Sequence, residues 1–129
     1  MADPKPISKD SHLWRRVPDI HWVEVEPGVF RASSAAFQDD PDGSPMSTTI
    51  KDESTLTTAF DPVRSHSMAF ALAEFPVSVA LDKQQHLERA PTDDEPAHVL
   101  VHGNKTKSVR NAFVRASVWA WPPPGRPYP

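Results

Sequence analysis

The stretch Ala97-His98-Val99-Leu100-Val101-His102-Gly103-Asn104-Lys105-Thr106-Lys107-Ser108-Val109-Arg110-Asn111-Ala112-Phe113-Val114-Arg115-Ala116-Ser117-Val118-Trp119 decides the fold. Ala97 to His102 is a short apolar, β-branched run that predicts a strand, and Gly103-Asn104 supplies a tight turn. From Lys105 to about Trp119 neither proline nor glycine interrupts the chain, which predicts a helix. At about 100° per residue, Val109, Ala112, Phe113, Ala116, Trp119 and Ala120 share one arc, and Lys107, Arg110, Asn111 and Arg115 share the opposite one. Such a helix covers a core with one face and offers cations on the other. Val114 and Val118 fall on the cationic side, where a core has no use for them. The prolines from Pro122 then end the helix.

Working back toward the N-terminus, Asp19 to Glu26 is rich in β-branched and aromatic residues and reads as a strand. Pro27-Gly28 fills the middle of a type II turn, with proline fixing φ and glycine accepting a positive one, and Val29-Phe30-Arg31 returns as a second strand. Gln38 to Pro45 holds three aspartates, two prolines and a glycine without one apolar side chain, so it is an exposed loop. Met46 to Ile50 predicts a short strand. Asp52 to Phe60 predicts a short helix capped by Asp52 or Ser54. Ser67 to Glu74 fits a strand or a helix equally, Val77, Val79 and Leu81 alternate as in a strand, and Arg89 to Pro96 reads as a polar loop. The expected fold is α+β: a small, mostly antiparallel sheet of short strands covered on one face by the C-terminal amphipathic helix. Trp119, Phe113 and Val109 are expected to meet Trp22, Phe30 and Val99 or Val101. Residues 1–11 read as a flexible lead, 12–121 as a single domain and 122–129 as a proline-rich, extended and mobile tail.

Composition limits what such a domain can be. With 129 residues the chain suits one small core, and Leu, Ile, Val and Phe make up roughly a fifth of it, enough for a modest one. Fifteen prolines confine long helices to the few proline-free stretches. No cysteine is present, which excludes disulfides, thiol nucleophiles and cysteine-ligated metals. The chain contains no apolar run near the roughly 20 residues of a membrane span and no signal-peptide pattern at its start, so a cytoplasmic protein is expected. The net charge of −3 conceals a polarity. From Ala97 onward there is no Asp or Glu, while Lys105, Lys107, Arg110, Arg115 and Arg126 give +5; the preceding residues carry nine basic against 17 acidic side chains, a net of −8. The C-terminal third is therefore expected to face an anion or an acidic partner.

Two constellations offer anion chemistry. Arg31 can supply a planar fork of donors for a phosphate or carboxylate, with Ser33 and Ser34 adding short hydrogen bonds; alternatively the arginine pairs with an acidic neighbour and the serines close a turn. The second lies at Gly103, Lys105, Thr106, Lys107 and Ser108. A helix N-terminus there exposes unpaired N–H groups, and its lysines oppose the macrodipole at a small cost in stability. No Gly-x-Ser-x-Gly elbow surrounds Ser34, and no residue is assigned a catalytic role. His98 and His102 lie on a strand, about 13 Å apart end to end, too far to share one metal ion, so neither a metal nor a cofactor is expected. An isoelectric point near 6.0 disfavours direct nucleic-acid binding.

Arg31-Ala32-Ser33-Ser34-Ala35-Ala36-Phe37, Met46-Ser47, and Pro96-Ala97-His98 before a basic helix together resemble a group of small bacterial proteins of similar length. These share Arg-x-Ser-Ser-x-Ala-Phe, Met-Ser and Pro-Ala-His elements, and the resemblance spans Leu13 to Trp119 and implies no particular reaction. The function expected from the residues is that of a small binding or accessory protein whose basic helix face, Lys107, Arg110, Val114, Arg115 and Val118, docks on an acidic protein surface. That surface is another protein or the Gln38–Pro45 loop of a second copy. The alternative is an enzyme or sensor for a phosphorylated small molecule, built from Arg31, Ser33, Ser34 and the helix start at Lys105–Ser108.

Overall fold

The computed structural model describes residues 6–60, 70–93 and 95–123. Its centre is β1 (His12–Pro18), which pairs antiparallel along its whole length with β5 (Phe70–Pro76) and, at Leu13↔Ile50 and Trp14↔Thr49 alone, with β4 (Met46–Ile50). Beyond β4 follow β7 (His98–His102) and the edge strand β6 (His86–Arg89); beyond β5 lies the other edge, β8 (Val118–Trp121). The fold is thus α+β, with a six-stranded antiparallel sheet and a separate hairpin of β2 (Trp22–Glu26) and β3 (Val29–Ala32). Gly28 turns that hairpin with φ of +77°, the left-handed conformation that glycine adopts without steric cost.

Strand alternation sorts the side chains into two layers. Leu13 and Val17, Met46 and Ile50, Ala73 and Phe75, and Val99 and Val101 all face one side, where they form the main core. Over it lie a 3-10 turn at Ser34–Phe37, α2 (Val77–Asp82) and α3 (Lys107–Ala116). Phe113 seats α3: its ring centroid is 4.8 Å from Phe75 and 5.7 Å from Phe37, and Phe37 and Phe75 meet edge to face at 5.8 Å. On the opposite side a smaller cluster gathers Trp14, Leu72 and Ala59 of α1 (Leu56–Phe60), with Trp121 against it.

Several expectations need correction. The predicted helix to Trp119 ends at Ala116, and Val118–Trp121 turns back as β8. Alternating bulky residues placed beside the unpaired edge of β5 gain more as a strand, because pairing there satisfies that edge. A bulge lets Trp119 join the main core while Trp121 joins the opposite cluster. Val77, Val79 and Leu81, expected in a strand, form α2 instead: Val77 and Ala80 are buried three residues apart, while Leu81 is exposed. Five residues of alternating pattern fit either period, and the chain must turn between β5 and β6. His86–Arg89 is a strand although only Leu87 is apolar, as suits an edge, so the polar loop begins only at Ala90. The strand expected from Asp19 opens with a 3-10 turn at Asp19–His21, and the helix expected from Asp52 is split into a 3-10 turn and α1, capped by Thr55 rather than Asp52 or Ser54.

Of the remaining expectations, Phe70–Pro76 takes the strand alternative, while Ser67 to Ala69, most of the 122–129 tail and residues 1–5 lie outside the described residues. Ile7 packs on the core and Val77 N–H donates to the Ser11 carbonyl, so the end of the lead is tied to the sheet. Among the described residues, no helix is long and apolar enough to cross a membrane.

Candidate functional site

The turn after β7 spends most of the groups expected to bind an anion. Gly103, at φ of +137°, allows the chain to pass so close to Gln85 that a Cβ would fall 2.6 Å from its side chain. Lys105 precedes the helix, and its ammonium is almost fully enclosed, donating to Asp39 at 3.0 Å and to the carbonyls of Val101 and Gly103 at 2.8 and 2.9 Å. An ammonium has three protons, and all three are used. Thr106 is the N-cap, its hydroxyl accepting from the Val109 N–H. Ser108 and Lys107 are exposed in the first turn.

Arg31 stands on the hairpin, where its guanidinium donates to the Ala32 carbonyl at 3.1 Å. Ser33 caps the following 3-10 turn by accepting from the Ala35 N–H, the turn-closing alternative, and Ser34 opens that turn. Neither Arg31 nor Gly103 borders the cleft beside β1 and β4 or the cavity at the β6 edge.

The cationic surface survives with a changed outline. Lys107 and Arg115 are exposed and Arg110 is half-buried, its Nε reaching the Thr106 carbonyl at 3.4 Å. Among the described residues none of the three has a carboxylate partner, whereas Arg15, Lys51, Arg89 and Lys105 each have one. Neither valine belongs to this surface as expected: Val114 packs partly on the core, and Val118, 64% exposed in β8, pairs with Glu74 and so stands on the sheet face opposite α3. The acidic loop offered as a counterpart is already occupied: Asp39 holds Lys105, Asp40 holds Arg15 and the Ser47 hydroxyl, and Asp42 accepts from the Ser44 N–H.

No protein-family model, curated protein or solved structure matches this chain. Its chemistry therefore has to be read from the side chains alone.

Sequence reasoning passed over two polar clusters. Where β1 and β4 part, a cleft of about 390 Å³ is bordered by Trp14, Arg15, Arg16, Thr49, Leu72 and His98. Arg15 is clasped there by the carbonyls of Ala36, Gln38 and Ser47 and by Asp40; burial lowers its pKa, opposed by the aspartates. His98 Nδ1 lies 2.8 Å from the Ala90 carbonyl. A carbonyl only accepts, so that nitrogen carries a proton and the neutral ring keeps its lone pair on Nε2. His102 bonds Glu88 instead, and among the described residues no group of three or more metal-ligating side chains is gathered.

The second cluster surrounds Glu74, which accepts from Trp14 Nε1 at 3.0 Å, His12 Nδ1 at 2.7 Å and Lys51 Nζ at 3.1 Å. Burial alone would raise this carboxyl's pKa, but the three donors more than offset that and hold it below the ordinary range. In sequence His12 and Trp14 are near neighbours, but Lys51 and Glu74 lie far along the chain. Only the register Trp14↔Glu74, set by strands some sixty positions apart, brings them together.

Proposed function

We propose that this protein is a small binding protein that docks on an acidic protein surface through the cationic strip of Lys107, Arg110 and Arg115. One observation carries the reading: those three cations stand on one helix without carboxylate partners among the described residues, whereas Arg15, Lys51, Arg89 and Lys105 each hold one. Exposed unpaired charge steers encounter and fixes orientation. Capping consumes the hydroxyls of Ser33 and Thr106, and Lys105 is enclosed, so a phosphate pocket built from these groups has less support.

Binding of the full chain to immobilised polyglutamate, read across a salt series, tests this. Retention is expected to fall steeply with salt and to be lost in Lys107→Glu/Arg110→Glu with the melting temperature kept. Retention indifferent to those two substitutions overturns the reading.

A further inference from the structure

The β2–β3 hairpin is held at its base and at Phe30, and its tip is exposed. At its base Trp22 Nε1 donates to the Val17 carbonyl at 2.9 Å, the Trp22 and Phe30 rings meet edge to face at 5.9 Å, and Ser33 N–H donates to the His21 carbonyl at 2.8 Å. The far end bears Val25 and Val29 at 50% and 48% exposure, and Ile20 ahead of the hairpin is 76% exposed. An isolated two-stranded hairpin is marginal in water, and exposed valines at its tip add nothing to the fold of one chain. Glu24 and Glu26 stand among them, exposed, with no cationic partner among the described residues; Glu24 does accept the Gly28 N–H at 3.2 Å.

This acidic, apolar hairpin runs into the 3-10 turn at Ser34–Phe37, which packs against α3. Trp119 of β8 donates its Nε1–H to the Phe30 carbonyl at 3.0 Å, so the hairpin abuts the strand that follows α3. Through that turn and β8, the hairpin that carries the glutamates and valines borders the helix that carries Lys107, Arg110 and Arg115. A two-fold interface requires a patch that complements itself, with each half meeting the opposite half of the partner. A stable pair buries about 800 Å² and some 20–30 residues on each side, more than the hairpin tip offers, so both halves have to take part.

We infer that the acidic partner is a second copy of this chain: Glu24 and Glu26 of one hairpin dock on Lys107, Arg110 and Arg115 of the other copy, and reciprocally, with Val25 and Val29 covered between them. The inference rests on the cationic strip being a docking surface and adds its occupant. It replaces the Gln38–Pro45 loop, whose aspartates are engaged within their own chain.

Sedimentation equilibrium of the full chain, from micromolar to near-millimolar concentration at low salt, is expected to show a monomer–dimer equilibrium weakened by salt. Glu24→Lys/Glu26→Lys and Lys107→Glu/Arg110→Glu are each expected to weaken dimerisation at least about tenfold, since each places like charges face to face. An equimolar mixture of the two variants restores both contacts and is expected to give a heterodimer. Thermal melts of each variant separate loss of pairing from loss of fold. A wild-type chain that stays monomeric, a dimer indifferent to the swaps, or a mixture that does not pair overturns the inference. If the monomer still holds polyglutamate through Lys107 and Arg110, the docking strip stands and only its occupant is wrong; if it does not, both fall.

Discussion

Replacing Phe113 by alanine probes whether α3 is fastened through the face that the structure shows. The ring is fully buried between Phe37 and Phe75, with centroids 5.7 and 4.8 Å away. Burial of a phenylalanine removes apolar area worth about 1.5–3 kcal/mol, and the cavity left by truncation raises the measured cost of Phe→Ala to about 3–5 kcal/mol. Aromatic contact adds about 0.5–1.5 kcal/mol per pair, and Phe113 makes two such contacts. The upper half of the range is therefore expected. A domain of this size has about 5–15 kcal/mol to lose, so at the lower end of that range Phe113→Ala populates the unfolded state even without denaturant; Phe113→Leu, which keeps most of the volume, remains measurable at a smaller cost. Urea unfolding followed by circular dichroism gives both values, with Lys107→Ala as the exposed control expected to leave the midpoint unchanged. A loss below about 1 kcal/mol for Phe113→Ala, the size of an ordinary surface effect, would show that α3 does not rest on the two phenylalanines.

Three further outcomes follow from particular contacts. Glu74→Gln should cost about 2 kcal/mol, since hydrogen bonds to a charged group contribute about 1.5–3 kcal/mol each. Because the folded carboxyl titrates below its ordinary 4.5, the stability it adds is present above that pH and lost as pH falls through the folded value, so the variant's stability should vary less with pH in acid unfolding curves. Thr106→Ala should cost about 1 kcal/mol through loss of the cap, whereas Ser108→Ala should be near neutral; equal losses in thermal melts would contradict the cap assignment. Gly103→Ala should lower the melting temperature, because φ of +137° disfavours a side chain and its Cβ would meet Gln85, and an unchanged melt would show that Gln85 yields freely.

The docking strip and the hairpin differ in how visibly the sequence announces them. Charge is a property of composition, so the acid-free run after Ala97 already marks Lys107, Arg110 and Arg115. Which of the cations are spent depends on what folds against them. Lys105 is indistinguishable from Lys107 in the sequence, yet one is enclosed by Asp39 and two carbonyls and the other faces solvent. Val114 and Val118 show the same limit: a helix drawn to Trp119 places both on the cationic side, and ending it at Ala116 moves Val118 to a strand.

Local rules by themselves determined the α+β class, the Pro27-Gly28 hairpin, the exposed Gln38–Pro45 loop, the strands at Met46–Ile50 and His98–His102, and the buried face of α3 through Val109, Ala112 and Phe113. Each rests on turn chemistry or on a periodicity confined to a few neighbouring residues. The tertiary structure alone decided that His12–Pro18, with its two arginines, is the central strand, that Val77–Asp82 is helical, and that Val118–Trp121 closes the sheet edge. It alone gathered His12, Trp14, Lys51 and Glu74. The reason is common to all four: a strand's energy lies in partners far along the chain, and Arg15 is tolerable at the middle of a sheet only because Ala36, Gln38, Asp40 and Ser47 arrive from elsewhere to accept its protons.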